Sequence, residues 1–396
     1  MNPPAPSPDF WIGPALEALD AALRGETPPV EFLPSDDDGV PRWVSRPDAT
    51  LAEGPRPAVV VRTSGSTGTA KQTLLSAEAL RASAEATAET LSGHGQWLLP
   101  LQPSYVAGLA VLSRSLVAGT VPVPLLAGTT DPATVAQAAE QMTAQRRFVS
   151  LVPTQLSRLL ETGDARTVEA LRRFDTILLG GGASPAPLLR RAEDVGLTVV
   201  RTYGMSETCG GCVYDGRPLP GVGVDTDETG RVRLSGQMVA LGYLDDEELT
   251  AAHFDVAPVT GHRRFRTDDL GALTTGEDHS AGQPRLSISG RADDVINTGG
   301  VKVSAEQVRA TLLEQHAVRD AFVGAAPDPD WGQRVCAAVV LTTGSRSEDT
   351  VDRLREAVRE AQGPAAVPKQ LHVLRALPLL ASGKPDRREL LRMFAG

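Results

Sequence analysis

The sequence predicts an α/β protein: a large N-terminal α/β domain with a β-rich subdomain, then a small C-terminal α+β domain. Three observations carry this. Short apolar or β-branched runs alternate with helix-like stretches through the first half of the chain, the pattern of buried, largely parallel strands. From about residue 222 to 273 the texture changes to Gly, Asp and Thr turns between short strands. After residues 287–290 the chain enters a second compact α/β pattern.

In chain order, strands are predicted at 58–61, 97–99, 148–152, 176–179 and 198–201. A helix over 76–91 begins at Ser76, a residue suited to accept from the first orphan amides, and Leu156, Leu159 and Leu160 have the i, i+3, i+4 spacing of another. Residues 106–128 form the most apolar stretch. They contain Arg114, Pro122 and Pro124, which makes a buried helix followed by a strand the reading, not a membrane span. Further strands are expected at 231–234, 239–243, 270–273 and 335–341, with a polar loop over 274–283. Val351, Leu354, Val358 and Ala361 mark one helix face. The domain junction is expected near Asp293, dividing the chain into 1–292 and 293–396.

Composition narrows the function. The 396 residues carry 39 Lys and Arg against 49 Asp and Glu, a net charge of −10, with 41% hydrophobic residues. That supports a folded core and argues against a general nucleic-acid binder, which collects cations to neutralise phosphates. Aromatic residues at 4% speak against base-stacking platforms. Three cysteines are too few to staple the chain, and residues 1–8 lack the charged and apolar regions of an export signal, so a cytoplasmic location is expected. The six histidines show no HExxH pairing, and a Gly-x-Ser-x-Gly elbow is missing. Cys209-Gly-Gly-Cys212 could be half a zinc site or a redox pair, but a second ligand pair is lacking.

The densest chemical signal is Thr63-Ser64-Gly65-Ser66-Thr67-Gly68-Thr69-Ala70-Lys71, after a predicted strand and ahead of a predicted helix. Glycines for close backbone approach, five hydroxyls and one Lys make an anion cradle, although a plain surface loop has a similar composition. Ala70 and Gln72 stand where a Walker A loop needs Gly and Ser or Thr. Four more motifs follow: Gly180-Gly181-Gly182-Ala183-Ser184-Pro185, Tyr203-Gly204-Met205-Ser206-Glu207-Thr208, Arg266-Thr267-Asp268-Asp269-Leu270-Gly271 and Gly290-Arg291-Ala292-Asp293-Asp294. Ser382-Gly383-Lys384-Pro385 closes the series.

This ordered set resembles the adenylate-forming superfamily of acyl-CoA synthetases, luciferases and peptide-synthetase adenylation domains. The resemblance implies that Thr63, Ser64, Gly65, Ser66, Thr67, Gly68 and Lys71 cradle the phosphates of ATP. Ser206 would contact the α-phosphate and Glu207 would bind Mg²⁺, a hard cation suited to carboxylate oxygen. Gly182, Ala183, Ser184, Tyr203 and Gly204 would lie against the nucleotide. Asp269 would hold the ribose hydroxyls and Arg291 the nucleotide, with Asp268 standing where Gly is usual. Asp293 would be a hinge, Gly299 and Gly300 would line the path of CoA, and Lys384 would be the catalytic lysine. Glu306 would be structural.

The stretch 202–215 resembles most the short bacterial o-succinylbenzoate–CoA ligases of menaquinone biosynthesis, and the phosphate loop beginning at Thr63 implies a body shortened ahead of it. Tyr105, Gly182, Gly204, Met205 and Cys209 would then line the acyl pocket, with Cys209 and Cys212 as pocket wall. Tyr105 replaces a His frequent in that subgroup; a phenol donates a hydrogen bond but does not become a cation near neutral pH. The expected co-substrates are ATP with Mg²⁺, CoA and a small carboxylic acid, with neither nucleic acid nor membrane insertion, and a homodimer is an open expectation. Alternatives are another aryl- or acyl-CoA ligase, an adenylation enzyme loading a carrier protein, and a non-catalytic nucleotide-binding module.

Overall fold

The structure is a computed structural model that describes residues 8–35, 39–51, 54–63, 71–125, 131–161, 164–274, 284–342, 344, 348–380 and 385–395. Four sheets organise the chain. The largest has the order Arg217–Pro218, Gly210–Tyr214, Val199–Met205, Thr176–Leu179, Arg147–Leu151, Gln96–Leu99, Val123–Pro124. Its members from Val199–Met205 to Val123–Pro124 run parallel, whereas Gly210–Tyr214 returns antiparallel. The strands at 148–152 and 176–179 read as continuous apolar runs because both faces are covered, with Phe148, Val149, Leu151, Ile177, Leu178 and Leu179 all buried.

A second sheet joins Gly242–Tyr243, Lys71–Ser76, Pro57–Thr63, Val30–Leu33 and Arg42–Ser45. It corrects one sequence expectation. The Ser/Gly/Thr run does not lead directly into a helix; strand Lys71–Ser76 comes between, antiparallel to Pro57–Thr63, with Thr63 opposite Lys71. Its polar start, Lys-Gln-Thr, hides a strand whose last four residues, Thr73 to Ser76, are buried. Helix Ala77–Thr90 then begins as expected, Ser76 Oγ accepting from the Ala79 amide at 3.1 Å. Helix Val106–Ala118 is buried over Gly108 to Ser115 and stops at Gly119 in the left-handed conformation. No helix among the described residues is long and apolar enough to cross a membrane.

The β-rich part forms a third sheet around the long strand Arg263–Thr274, flanked by Arg231–Ser235, Phe254–Val256 and Arg285–Arg291. The expected strand at 270–273 is only its end. Of the expected 239–243 strand only Gly242–Tyr243 pairs, because Ala240 N–H is taken by the Glu207 carbonyl at 2.9 Å. The fourth sheet, Val301–Ser304, Val295–Thr298, Gly332–Leu341 and Val318–Asp328 with Gln370–Leu374 alongside, has its own cores drawn from residues between Ile296 and Phe394. On helix Glu348–Gln362, Leu354 and Val358 are buried but Ala361, one residue from the helix end, is exposed.

Candidate active site

A cavity of about 840 Å³ opens at the carboxyl ends of the parallel strands, where an open α/β sheet binds ligand. One end of it is built across two sheets. Asp269 and Arg291 face each other in register on paired strands. The Tyr203 hydroxyl donates to Asp269 Oδ2 at 2.7 Å, and Arg291 Nη1 reaches Asp269 Oδ1 at 3.3 Å. Burial pushes the Asp269 carboxyl above its ordinary range, against the opposing pull of Tyr203 and Arg291. Burial and the neighbouring Asp269 charge push the Tyr203 hydroxyl up as well. Arg291 also grips Asp293 with two bonds, at 2.8 and 3.0 Å. Asp268, the residue at the position usually Gly, turns to Arg231 at 2.6 Å and so has its own ion-pair partner.

The adjoining part is framed by Thr63, Lys71, Tyr243, Ser206 and Glu207. Ser206 and Glu207 begin a single helical turn, Ser206–Thr208, at the end of strand Val199–Met205, and both are buried. The turn is fixed by Thr208 Oγ1, which accepts from the Met205 amide at 3.0 Å and donates to the Gly210 carbonyl at 2.8 Å. The Tyr243 hydroxyl donates to Glu207 Oε1 at 2.8 Å, and Lys71 Nζ stands 5.2 Å from the centre of the Tyr243 ring. Burial, then the Glu207 charge, push the Tyr243 hydroxyl up.

Among the described residues no group of three metal-ligating side chains occurs. A single carboxylate still fits Mg²⁺, which keeps waters and takes much of its coordination from substrate phosphates. Tyr243 occupies one oxygen of Glu207 and leaves the other for a cation.

The more apolar end lies between helix Val106–Ala118 and the Val199–Met205/Gly210–Tyr214 hairpin. Tyr105, Val106, Ala107, Ala110, Leu178, Gly210 and Gly211 line it. The hairpin is tight: a Cβ on Gly204 would fall 2.0 Å from the Gly210 carbonyl oxygen. Similarly a Cβ on Gly180 would meet Thr202 Oγ1 at 2.3 Å, so this glycine serves strand packing.

The deep end holds a group that sequence reading passed over. Arg114 is only 6% exposed and lines the cavity. Its guanidinium lies 4.9 Å from the centre of the Trp97 ring, and Nη2 donates to the Tyr214 hydroxyl at 3.4 Å. Tyr214 in turn meets Thr87 Oγ1 at 3.1 Å. Nε of Arg114 has no hydrogen-bond partner, and among the described residues no carboxylate lies within ion-pair distance of it. The signal in the sequence is a lone Arg in an otherwise apolar helix, Val106–Ala118.

The structure thus brings together Thr63, Lys71, Tyr105, Gly204, Met205, Ser206, Glu207, Asp269, Arg291 and Asp293 along one cavity, with Tyr203 behind Asp269. It places others elsewhere. Gly180 and Gly181 line the cavity, whereas Gly182, Ala183 and Ser184 follow beyond it, and Gly182 is exposed with open space around its α-carbon. Cys209 is buried behind the wall, its carbonyl accepting from Ser83 Oγ at 3.2 Å. Burial raises the Cys209 thiol and pushes the Cys212 thiol up to about 12. Gly299 and Gly300 form the turn between Val295–Thr298 and Val301–Ser304, beside Trp331 and away from the cavity lining. Ser64, Gly65, Ser66, Thr67, Gly68 and Lys384 lie outside the described residues.

Residues 18–244 match the AMP-binding enzyme family, and residues 307–384 match the AMP-binding enzyme C-terminal domain. The chain belongs to the AMP-binding enzyme family. Within this family it is 40% identical over 385 residues to a probable 2-succinylbenzoate–CoA ligase of Mycobacterium tuberculosis, covering 96% of this chain and 95% of the relative. Solved AMP-binding enzymes give the same fold. The o-succinylbenzoate CoA synthetase (MenE) of Bacillus subtilis, in complex with the acyl-adenylate intermediate, superposes with a TM-score of 0.69 at 27% identity, over 85% of this chain and 69% of that one. The amide bond synthetase McbA of Marinactinospora thermotolerans gives 0.72 at 27% identity, over 88% and 72%.

Proposed function

We propose that the protein is an AMP-forming acid–CoA ligase that activates 2-succinylbenzoate. The observation that carries the choice of acid is Arg114. A buried guanidinium with no carboxylate partner among the described residues, at the floor of an apolar acyl pocket, is what a dicarboxylic aryl acid requires. One carboxylate must stay at the nucleotide end to react, and the other needs a cation at the far end. The names of the Mycobacterium tuberculosis relative and of the Bacillus subtilis structure support the same acid.

In the first step the free carboxylate oxygen attacks the α-phosphorus of ATP. The bond from that phosphorus to the bridging oxygen breaks, and pyrophosphate leaves with the electron pair. Asp269 accepts from the ribose hydroxyls, Ser206 contacts the α-phosphate and Lys384 stabilises its developing charge. Glu207, oriented by Tyr243, would hold Mg²⁺, which when bound would supply positive charge to the phosphoryl oxygens. In the second step the CoA sulfur, as thiolate, attacks the acyl carbon, the carbon–oxygen bond to AMP breaks, and the thioester forms. We assign residues 293–396 as a unit that turns about Asp293 between the steps, withdrawing Lys384 and opening a CoA path past Gly299 and Gly300.

The proposed location is the cytoplasm, where ATP and CoA are supplied and thiols such as Cys209, Cys212 and Cys336 stay reduced. Incubation with ATP, CoA and a panel of acids tests the reading. 2-Succinylbenzoate should be converted with much higher kcat/KM than benzoate or a fatty acid, and preference for either of those overturns it. Size-exclusion chromatography tests the homodimer.

A further inference from the structure

One wall of the cavity comes from the C-terminal end of the chain, where helix Arg387–Ala395 presents Arg387, Arg388 and Arg392. The helix is held by its opposite face. Leu390 and Phe394 are fully buried, and the Phe394 ring lies 6.0 Å from that of Phe322. Asp386 caps the first turn, its Oδ1 accepting from the Arg388 and Glu389 amides at 3.0 and 3.1 Å. With Leu390 N–H also bonded to the Asp386 carbonyl at 3.0 Å, the Arg388, Glu389 and Leu390 amides are taken, which leaves the side chains to draw an anion there.

The cations around the cavity differ in how far they are already neutralised. Arg62 pairs with the buried Glu31, Arg291 with Asp269 and Asp293, and Arg387 with Asp294. Arg388 and Arg392 are exposed, and neither has an acidic partner within ion-pair distance among the described residues. They stand at i and i+4, a like-charge pair that weakens a helix unless an anion sits against both. The protein as a whole is acidic, so a bare cationic pair at the mouth of its main cavity is a local feature, not part of a basic face.

We propose that Arg388 and Arg392 bind the β- and γ-phosphates of ATP and hold the pyrophosphate as it leaves. This rests on the adenylating reading above. That reading gives the ribose to Asp269 and the α-phosphate to Ser206, and leaves the most highly charged part of the substrate with Lys71 as its remaining unneutralised cation among the described side chains. The arginines complete that set from the other part of the chain, so a triphosphate bridges Lys71 on one side and the C-terminal helix on the other. AMP, which ends at the α-phosphate, makes no such bridge.

The test is calorimetric binding of Mg·ATP, pyrophosphate, AMP and CoA to the full-length wild type and to Arg388→Ala/Arg392→Ala, with Arg388→Lys/Arg392→Lys as the conservative variant. The alanine pair should bind Mg·ATP and pyrophosphate roughly tenfold more weakly, as expected for two lost charge-assisted contacts that are partly screened. AMP affinity should be unchanged, and the lysine pair should recover most of the loss. The proposal is overturned if ATP weakens no more than AMP, or if CoA binding falls while ATP binding is intact, which would give the arginines to CoA. Acid-dependent ATP–pyrophosphate exchange by the wild type reports separately on the adenylating reading. Its failure beside an intact ATP and pyrophosphate effect would sink that reading and leave the phosphate site standing.

Discussion

Replacing Arg114 by Met removes the guanidinium while keeping an unbranched chain of similar length against the Trp97 ring. In the wild type the head group has one long hydrogen bond, to Tyr214 at 3.4 Å, and a free Nε. A substrate carboxylate arriving there gains charge-assisted hydrogen bonds of about 1.5–3 kcal/mol in a desolvated site. Taking about 3 kcal/mol as lost, and about 1.36 kcal/mol per tenfold in rate, kcat/KM for 2-succinylbenzoate should fall by roughly two orders of magnitude. Benzoate, which lacks the second carboxylate, should lose little and can gain from the more apolar floor. The assay is thioester formation with each acid, alongside a thermal melt. The melting temperature should hold, because removing a buried unpaired charge offsets the lost contact with Trp97. Equal losses for both acids with a normal melt would refute the assignment of Arg114 to the second carboxylate.

Three further outcomes follow from single contacts. Tyr243→Phe frees Glu207 Oε1 from its 2.8 Å donor, and should raise the Mg²⁺ concentration for half-maximal adenylation by about tenfold, the size of one bond to a charged group, with little change in KM for the acid. Asp227 receives Thr229 Oγ1 at 2.6 Å, the amides of Thr229 and Arg231, and Arg266 Nε at 2.8 Å; these hold its carboxyl below the ordinary range, the Thr229 hydroxyl most of all. Its stabilising contribution is therefore present above the unfolded carboxylate pKa of about 3.9 and is lost as pH falls through the lower folded value, so the gap in melting temperature between wild type and Asp227→Ala should be open at pH 7 and close on acidification. Gly204→Ala places a methyl 2.0 Å from the Gly210 carbonyl oxygen and should displace the turn carrying Ser206 and Glu207, lowering kcat for adenylation at least tenfold; a fully active variant would show that the hairpin can open without disturbing them.

Much of the fold was legible because its strands are short and buried on both faces, so apolar runs at 148–152 and 176–179 could hardly be anything else. The strand Lys71–Ser76 was missed because its polar start reads as loop and its buried end as the start of the following helix. Strand Gly242–Tyr243 was overextended because the apolar run ahead of it is anchored by a loop-like bond to Glu207 instead of a ladder. In the site, Ser206, Glu207 and Asp269 read locally as ordinary loop residues and stood out only through the resemblance of the ordered motifs; all three line one cavity. Residues brought in only by long-range proximity carried no such motif. Tyr243 meets Glu207 across 36 positions and Tyr214 meets Arg114 across 100. Nothing near either residue in the chain announces its partner.

The turn Ser206–Thr208 belongs to the seven-stranded sheet, yet its Glu207 is tied by backbone to Ala240 and by side chain to Tyr243, at the margin of the five-stranded sheet. The third sheet reaches the same place through Asp269 and Tyr203. Three sheets that share one hydrophobic cluster therefore meet where the nucleotide is proposed to sit, and a nucleotide bound there acts as a rivet at their polar edge. Mass action fixes the size of the effect: at a hundred times its dissociation constant a ligand adds about 2.7 kcal/mol to unfolding. Amides on strands from all three layers should then slow their hydrogen exchange together when nucleotide is added, although few of them touch it.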